Sequence, residues 1–309
     1  MFVIEAQAKI NACAFFVSTN YAATPVMYQS IRANFICVLY TLLVLLIPVK
    51  AVAQPEMERA LTVSGAALNF GYQEFNDNGK QLNQEHGIIP GLTMRFSQAQ
   101  GRWLIVGDLS YYSGDVTYNG LTNIGTPVTT RTGQKIAELS MHAEYWRATA
   151  GGFNYALYSG AGYYYRERDI QPTRTATGAP VSGLFETYQW WLGFLGAKTV
   201  LYTSERAQWI LDTRFTRPVN PSVTADFNGV NDGVRLGLGG RWGTRWALPW
   251  YYTANQAMGF VVEPFVESYE LGRSATMPLT RNGVIIGTVS EPRSESFNYG
   301  FMISVQRRF

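Results

Sequence analysis

Bulky apolar residues recur at every second position through most of this chain, separated by glycine, small and polar residues, and that period leaves little choice of fold. An extended strand sends successive side chains to opposite faces, so each run reads as a strand with one bulky face and one small or polar face. Ten runs follow one another. In the first, Ala66, Leu68, Phe70 and Tyr72 oppose Gly65, Ala67, Asn69 and Gly71. The second sets Ile88, Pro90, Leu92, Met94 and Phe96 outward and Thr93, Arg95 and Ser97 inward. The third sets Trp103, Ile105, Leu109 and Tyr111 against Asp108, Ser110 and Tyr112. The fourth has Leu139, Met141, Ala143 and Tyr145 against Glu138, Ser140, His142 and Glu144, and the fifth Leu157, Ala161, Tyr163 and Tyr165 against Gly160, Gly162 and Arg166. In the sixth, Tyr188, Trp190, Leu192 and Phe194 oppose Gln189, Trp191 and Gly193. The seventh has Trp209, Leu211 and Phe215 against Asp212 and Arg214, and the eighth Val234, Leu236, Leu238 and Trp242 against Arg235 and Arg241. The ninth sets Phe260, Val262 and Val266 against Glu263 and Glu267, and the last Tyr299, Phe301, Ile303 and Val305 against Asn298, Ser304 and Gln306.

The connections alternate in length. Long ones are predicted near 75–86, 115–133, 167–182, 217–232 and 271–294, and short ones near 98–101, 148–152, 198–206 and 243–257. The direct count is ten strands, and strand ends read from sequence leave eight to twelve compatible with the pattern.

A water-soluble sandwich or lipocalin-like barrel also alternates, but it buries its apolar face and wets its polar one. Here only 15% of residues are charged, against about a quarter in ordinary soluble domains. Arg and Glu fall at mid-strand on the small, polar face, and aromatics such as Trp103 and Tyr111 bracket an apolar stretch. Ten residues at about 3.3 Å each, tilted by about 40°, span roughly 25 Å, the height of a barrel's apolar band. The bulky face therefore meets lipid, where a sheet must close on itself because a free edge leaves unsatisfied backbone groups. An all-β, antiparallel transmembrane β-barrel of about ten strands is expected.

One apolar segment of a different kind precedes the strands. Phe35 to Val49 follows Arg32, ends near Lys50, and is succeeded by Ala51, Val52 and Ala53. A basic start, a short apolar core broken by Pro48 and a small-x-small end describe a cleavable secretory signal peptide. Residues 27–53 form a signal of ordinary length if translation starts at Met27, which makes 1–26 an expected upstream extension and 54–309 the mature barrel. Cleavage removes both cysteines, Cys13 and Cys37, so neither a cysteine nucleophile nor a cysteine-based metal site is expected. It also takes Lys9, Arg32 and Lys50 with Glu5, bringing the net charge below the +3 of the whole chain. No case for nucleic acid follows.

The chain ends Tyr299-Gly-Phe-Met-Ile-Ser-Val-Gln-Arg-Arg-Phe309. A terminal Phe preceded by apolar residues at alternate positions resembles the β-signal of bacterial outer-membrane barrel proteins. Tyr299, Phe301, Ile303, Val305 and Phe309 match it, and Arg307 departs from it. The resemblance implies recognition by the barrel-assembly machinery and residence in the outer membrane of a Gram-negative cell, among lipid and lipopolysaccharide.

Arg95, Asp108, Glu138, His142, Glu144, Asp212, Arg214, Arg235, Arg241, Glu263 and Glu267 are expected inside the barrel. Their mixed signs suit an ion-paired filling of a narrow interior. A narrow porin-like channel for small solutes is the alternative. Architecture is also similar to the omptin proteases, ten-stranded barrels that use paired aspartates and a His-Asp pair at the outer rim. His86, with Asp77 and Glu85 nearby, does not meet that pattern. An acyl hydrolase would need Ser140 within reach of His142. No enzyme, cofactor or metal is expected. The outer loops are read first as solvated connections; the other reading makes them a recognition surface, on which Arg174 and Arg168, with Arg166 at the loop edge, would meet lipopolysaccharide phosphates.

Overall fold

A computed structural model describes residues 59–122, 125–149 and 152–309. The expected leader, with Ala51 and Ala53, lies outside the described residues. The strands are β1 (Arg59–Phe75), β2 (Gln81–Gln100), β3 (Trp103–Leu121), β4 (Pro127–Ala148), β5 (Asn154–Ile170), β6 (Thr173–Arg174), β7 (Pro180–Val181), β8 (Leu184–Thr203), β9 (Ala207–Asp226), β10 (Val234–Gly237), β11 (Gly239–Gly240), β12 (Gly243–Ala247), β13 (Trp250–Thr253), β14 (Met258–Gly272), β15 (Met277–Arg281), β16 (Val284–Val289) and β17 (Arg293–Arg308).

Successive long strands pair antiparallel from β1 through β5 to β8 and β9, and β14 pairs β17, which pairs back onto β1. The gap between β9 and β14 is filled by β10 to β13, short pieces of one stave that bonds to both neighbours. The ring is closed with ten staves. Prolines explain the interrupted stave, because a proline accepts in a ladder but cannot donate. The carbonyls of Pro221 and Pro264 take the Leu238 and Leu248 amides at 2.8 and 3.0 Å, and the Pro249 carbonyl takes the Ile210 amide at 3.0 Å. The returning bonds are missing there. The sequence expectation of a turn over 243–257 is corrected: this stave continues to Thr253, and only 254–257 turn.

The outward face is apolar. Leu92, Met94, Leu139, Met141, Leu157, Ile303 and Val305 are exposed on it, with Trp103, Trp209 and Phe309 toward one end and Tyr111, Trp191 and Tyr299 toward the other. Two faces are inverted relative to the sequence reading. Leu68, Phe70 and Tyr72 of β1 point inward, as do Tyr188, Trp190, Leu192 and Phe194 of β8, while Trp191 is 61% exposed. Leu236 is also inside, although Trp242 of the same stave faces out. The interrupted ladder changes parity between them.

Uninterrupted staves run 15 to 22 residues. Twenty residues rise roughly 50 Å at a 40° tilt, about twice the apolar band. The outer half of the barrel therefore stands clear of the lipid. There the outward side chains turn polar, as where Lys135 donates to Glu167 at 2.8 Å. Most of the predicted long loops are this strand extension, and the outer connections themselves are only 76–80, 122–126, 171–183, 227–233 and 273–292.

Candidate functional site within the barrel

The interior is layered. In the outer half, five staves converge on two buried guanidiniums. Arg168 donates through Nε to Glu85 at 2.8 Å, and through Nη1 to Glu74 at 2.8 Å and Glu186 at 2.6 Å. Arg166 donates to Gln134 at 2.8 Å and reaches Glu85 at 3.4 Å. Its guanidinium lies 4.3 Å from the Tyr72 ring centre, 4.9 Å from Phe70 and 5.4 Å from Tyr188. Glu85 also accepts from Thr132 and Gln134, so four donors surround one carboxylate. Tyr188 closes the cluster, its hydroxyl lying 2.6 Å from the Glu291 carboxylate and 3.1 Å from that of Glu186. Forked charge-assisted bonds of this kind fix geometry as well as energy. Arg166 and Arg168 are 2% and 1% exposed, so the sequence reading in which they meet lipopolysaccharide is corrected. Arg174 alone of the three stands in an outer loop, donating to the Gly178 carbonyl at 2.8 Å.

Below this plug lies an aromatic layer. Tyr164 stacks on Trp190 at 4.1 Å and 11°, and the Tyr164 hydroxyl meets that of Tyr269 at 3.0 Å. Phe70, Phe194, Tyr112 and Phe265 extend it across the bore.

The periplasmic half is charged and partly hollow. Asp108 accepts from Arg95 Nε at 2.6 Å, and Glu263 from Arg245 Nη2 at 2.6 Å. Glu144 accepts from His142 Nε2 and Trp146 Nε1, both at 2.9 Å, and from Lys198. Asp212 accepts from Tyr158 at 2.6 Å, Glu138 lies 3.5 Å from Arg214, and Glu267 accepts from Asn298 at 3.0 Å. Glycine makes room for this network at Gly160: a Cβ there would fall on the Met141 carbonyl and the His142 and Phe194 side chains. A cavity of about 240 Å³ lies between these pairs and reaches the periplasmic turn at 204–206.

Of the residues read as luminal, Arg95, Asp108, Glu138, His142, Glu144, Asp212, Arg214, Glu263 and Glu267 share this half. Arg235 and Arg241 do not. Arg235 is exposed and donates to Ser222 at 3.1 Å, and Arg241 pairs with Glu270 at 3.2 Å on the outside. Both follow the parity change of the broken stave. Sequence reading missed Lys198 and Arg245, which it left in predicted turns, and all of Glu74, Glu85, Arg168 and Glu186 as luminal groups. Tyr299, Phe301, Ile303, Val305 and Phe309 lie on the lipid-facing side of β17.

The hydrolytic constellations are not assembled among the described residues. His86 is exposed on the outward face of β2. His142 bonds Glu144, while its Nδ1 and the Ser140 hydroxyl are each without a hydrogen-bond partner. No group of three or more His, Cys, Asp or Glu residues is arranged to hold a metal ion.

No family model matches the sequence, and no curated protein matches it. Among solved structures, the chain is similar to the outer membrane protease OmpT from Escherichia coli, with TM-score 0.54 and 10% identity over 84% of this chain and 99% of that one. The translocator domain of the autotransporter NalP from Neisseria meningitidis gives 0.39 at 12% identity, covering 81% and 88%. The outer membrane protein OprG from Pseudomonas aeruginosa gives 0.36 at 10%, covering 81% and 95%. The OmpT likeness is one of fold. Together with the closed ring and its lipid-facing apolar band, it makes this chain a bacterial outer-membrane β-barrel, resident in the outer membrane.

Proposed function

We propose that the protein is a non-enzymatic barrel that presents a rigid, closed surface on the outside of the cell and does not conduct solutes across the membrane. One observation carries this reading: the Arg166–Arg168 cluster crosses the bore with its four bonded carboxylates buried, backed by the stacked Tyr164–Trp190 layer. A guanidinium held by three carboxylates does not move aside without leaving buried charges unpaired. His142 bonds Glu144 and not Ser140, and His86 faces outward while Glu85 points into the lumen, which supports the non-enzymatic part. Outward-facing Arg131, Lys135 and Arg217, at or above the upper edge of the apolar band, are the groups we assign to lipopolysaccharide phosphates. Assembly through the terminal Phe309 strand belongs to the same reading.

Purified protein in planar bilayers tests it. Insertion without stepwise current is the expected outcome. Steady steps of uniform size from the wild-type chain would replace this reading with the narrow channel.

A further inference from the structure

We propose that the periplasm-facing cavity is a binding site for an uncharged, polyhydroxylated solute of monosaccharide size. This goes beyond the reading above and stands on the cavity, not on the outer seal. At about 240 Å³ the space corresponds to roughly eight waters at about 30 Å³ each, enough for a single sugar ring.

The walls select the chemistry. Arg95, Lys198, Arg214 and Arg245 line the cavity, and so do Asp108, Glu138, Glu144 and Glu263. Each of these four cations already faces a carboxylate within it. Glu205, Arg206 and Arg308 line only the periplasmic mouth; deeper in, an ionic ligand finds no spare counter-charge and must break a pair to bind, which leaves the displaced partner buried. A neutral ligand meets no such penalty. Two residues lining the cavity nevertheless carry a polar atom without any hydrogen-bond partner, Ser140 Oγ and Arg214 Nε. Ser140 is only 3% exposed. Buried polar groups are nearly always bonded, so two orphans in one cavity wall point to a partner that enters it. The pair offers a hydroxyl and an N–H donor, which suits hydroxyls that both donate and accept.

The opposite wall has matching chemistry. Ser64 and Ser304 bond each other at 2.8 Å, and Gln306 donates to Thr62 at 3.3 Å. These groups can take further hydrogen bonds at the cavity surface. Leu68, Tyr112 and Phe265 close the inner end with apolar surface, against which the C–H face of a sugar ring packs. Polar edges and an apolar roof are the two surfaces such a ring presents.

Equilibrium dialysis of the folded barrel, in a detergent without a sugar headgroup, tests the proposal with D-glucose and myo-inositol as probes. Glutamate and inorganic phosphate serve as charged comparisons. Saturable binding of at least one polyol, tenfold or more tighter than either ion, is expected. Ser140→Ala should weaken it at least fivefold while the barrel still resists unfolding in detergent without boiling. Thr129→Ala, at the outer end of β4, should leave it unchanged. Absence of saturable polyol binding, tighter binding of glutamate or phosphate, or full retention of binding in the Ser140 variant would each overturn it. Bilayer currents do not enter this result, so the two readings fail separately.

Discussion

The barrel holds two kinds of ion pair, one in its lumen and one on its outer face, and they differ in what they contribute. Arg168 is 1% exposed and bonds three carboxylates, whereas Lys135, 58% exposed, makes one bond to Glu167. Removing one member of a buried set leaves the others without their charge partner, typically costing about 3–5 kcal/mol. An exposed pair is screened by water and holds long side chains at an entropic cost that offsets its attraction. Arg168→Met is therefore expected to destabilise the barrel by about that buried-pair cost, read as a fall in the urea midpoint of tryptophan fluorescence. Lys135→Ala should leave the midpoint where it was. Equal midpoints for the two variants would show that the Arg168 cluster does not stabilise the fold.

At the level of single elements, legibility followed the solvent. Strands β2, β3 and β17 were readable because their outward residues are bulky and their inward ones small, and lipid enforces that contrast. In β1 and β8 the lumen itself is aromatic at Phe70, Tyr72, Tyr188 and Trp190, so both faces are apolar and parity no longer says which is inside. The plug was missed for the converse reason. Above the lipid the outward face becomes polar, the alternation fades, and the strand ends carrying Glu74, Glu85 and Arg168 read as loops. The charged groups at mid-strand, such as Arg95, Asp108 and Glu144, were legible because only a shielded lumen tolerates charge at that depth. The outer β15–β16 hairpin also escaped notice, although its Asn282-Gly283 turn, with φ of 51° and 74°, is a favoured two-residue hairpin link. Asp232 pins it from the neighbouring loop, accepting from Thr280 at 2.6 Å, the Gly283 amide at 2.9 Å and the Asn282 amide at 3.1 Å. These bonds hold the Asp232 carboxyl below the usual aspartate range. A group whose pKa is depressed by folding contributes stability above its unfolded pKa and loses it as pH falls through the folded value. The hairpin should stay docked at neutral pH and loosen only on acidification below the ordinary aspartate range. At pH 8, Asp232→Ala should speed trypsin cleavage after the exposed Arg281 severalfold without opening the barrel. Unchanged cleavage would mean that other contacts hold the hairpin.

For the molecule as a whole, closure is what lets these strands live in lipid, since a ring has no edge to leave unpaired. The seam joins the first strand to the last. Ser64 lies directly opposite Ser304 across β1 and β17, and their hydroxyls bond at 2.8 Å on the luminal side. Directly opposed residues of an antiparallel pair sit about 4.5–5.5 Å apart at Cα, inside the range a disulfide spans. The sequence distance is large, so a cross-link here ties nearly the whole barrel into one loop. Ser64→Cys together with Ser304→Cys should form that bond in the oxidising periplasm. The boiled, non-reduced protein should then migrate faster than the same sample reduced, because the denatured chain is a closed loop. Each single substitution should show no such difference, which also controls for Cys13 and Cys37 if any leader persists. Failure of the double variant to cross-link, in protein that still changes mobility on boiling, would mean that the β1–β17 seam is not in this register, and the ring would have to close elsewhere.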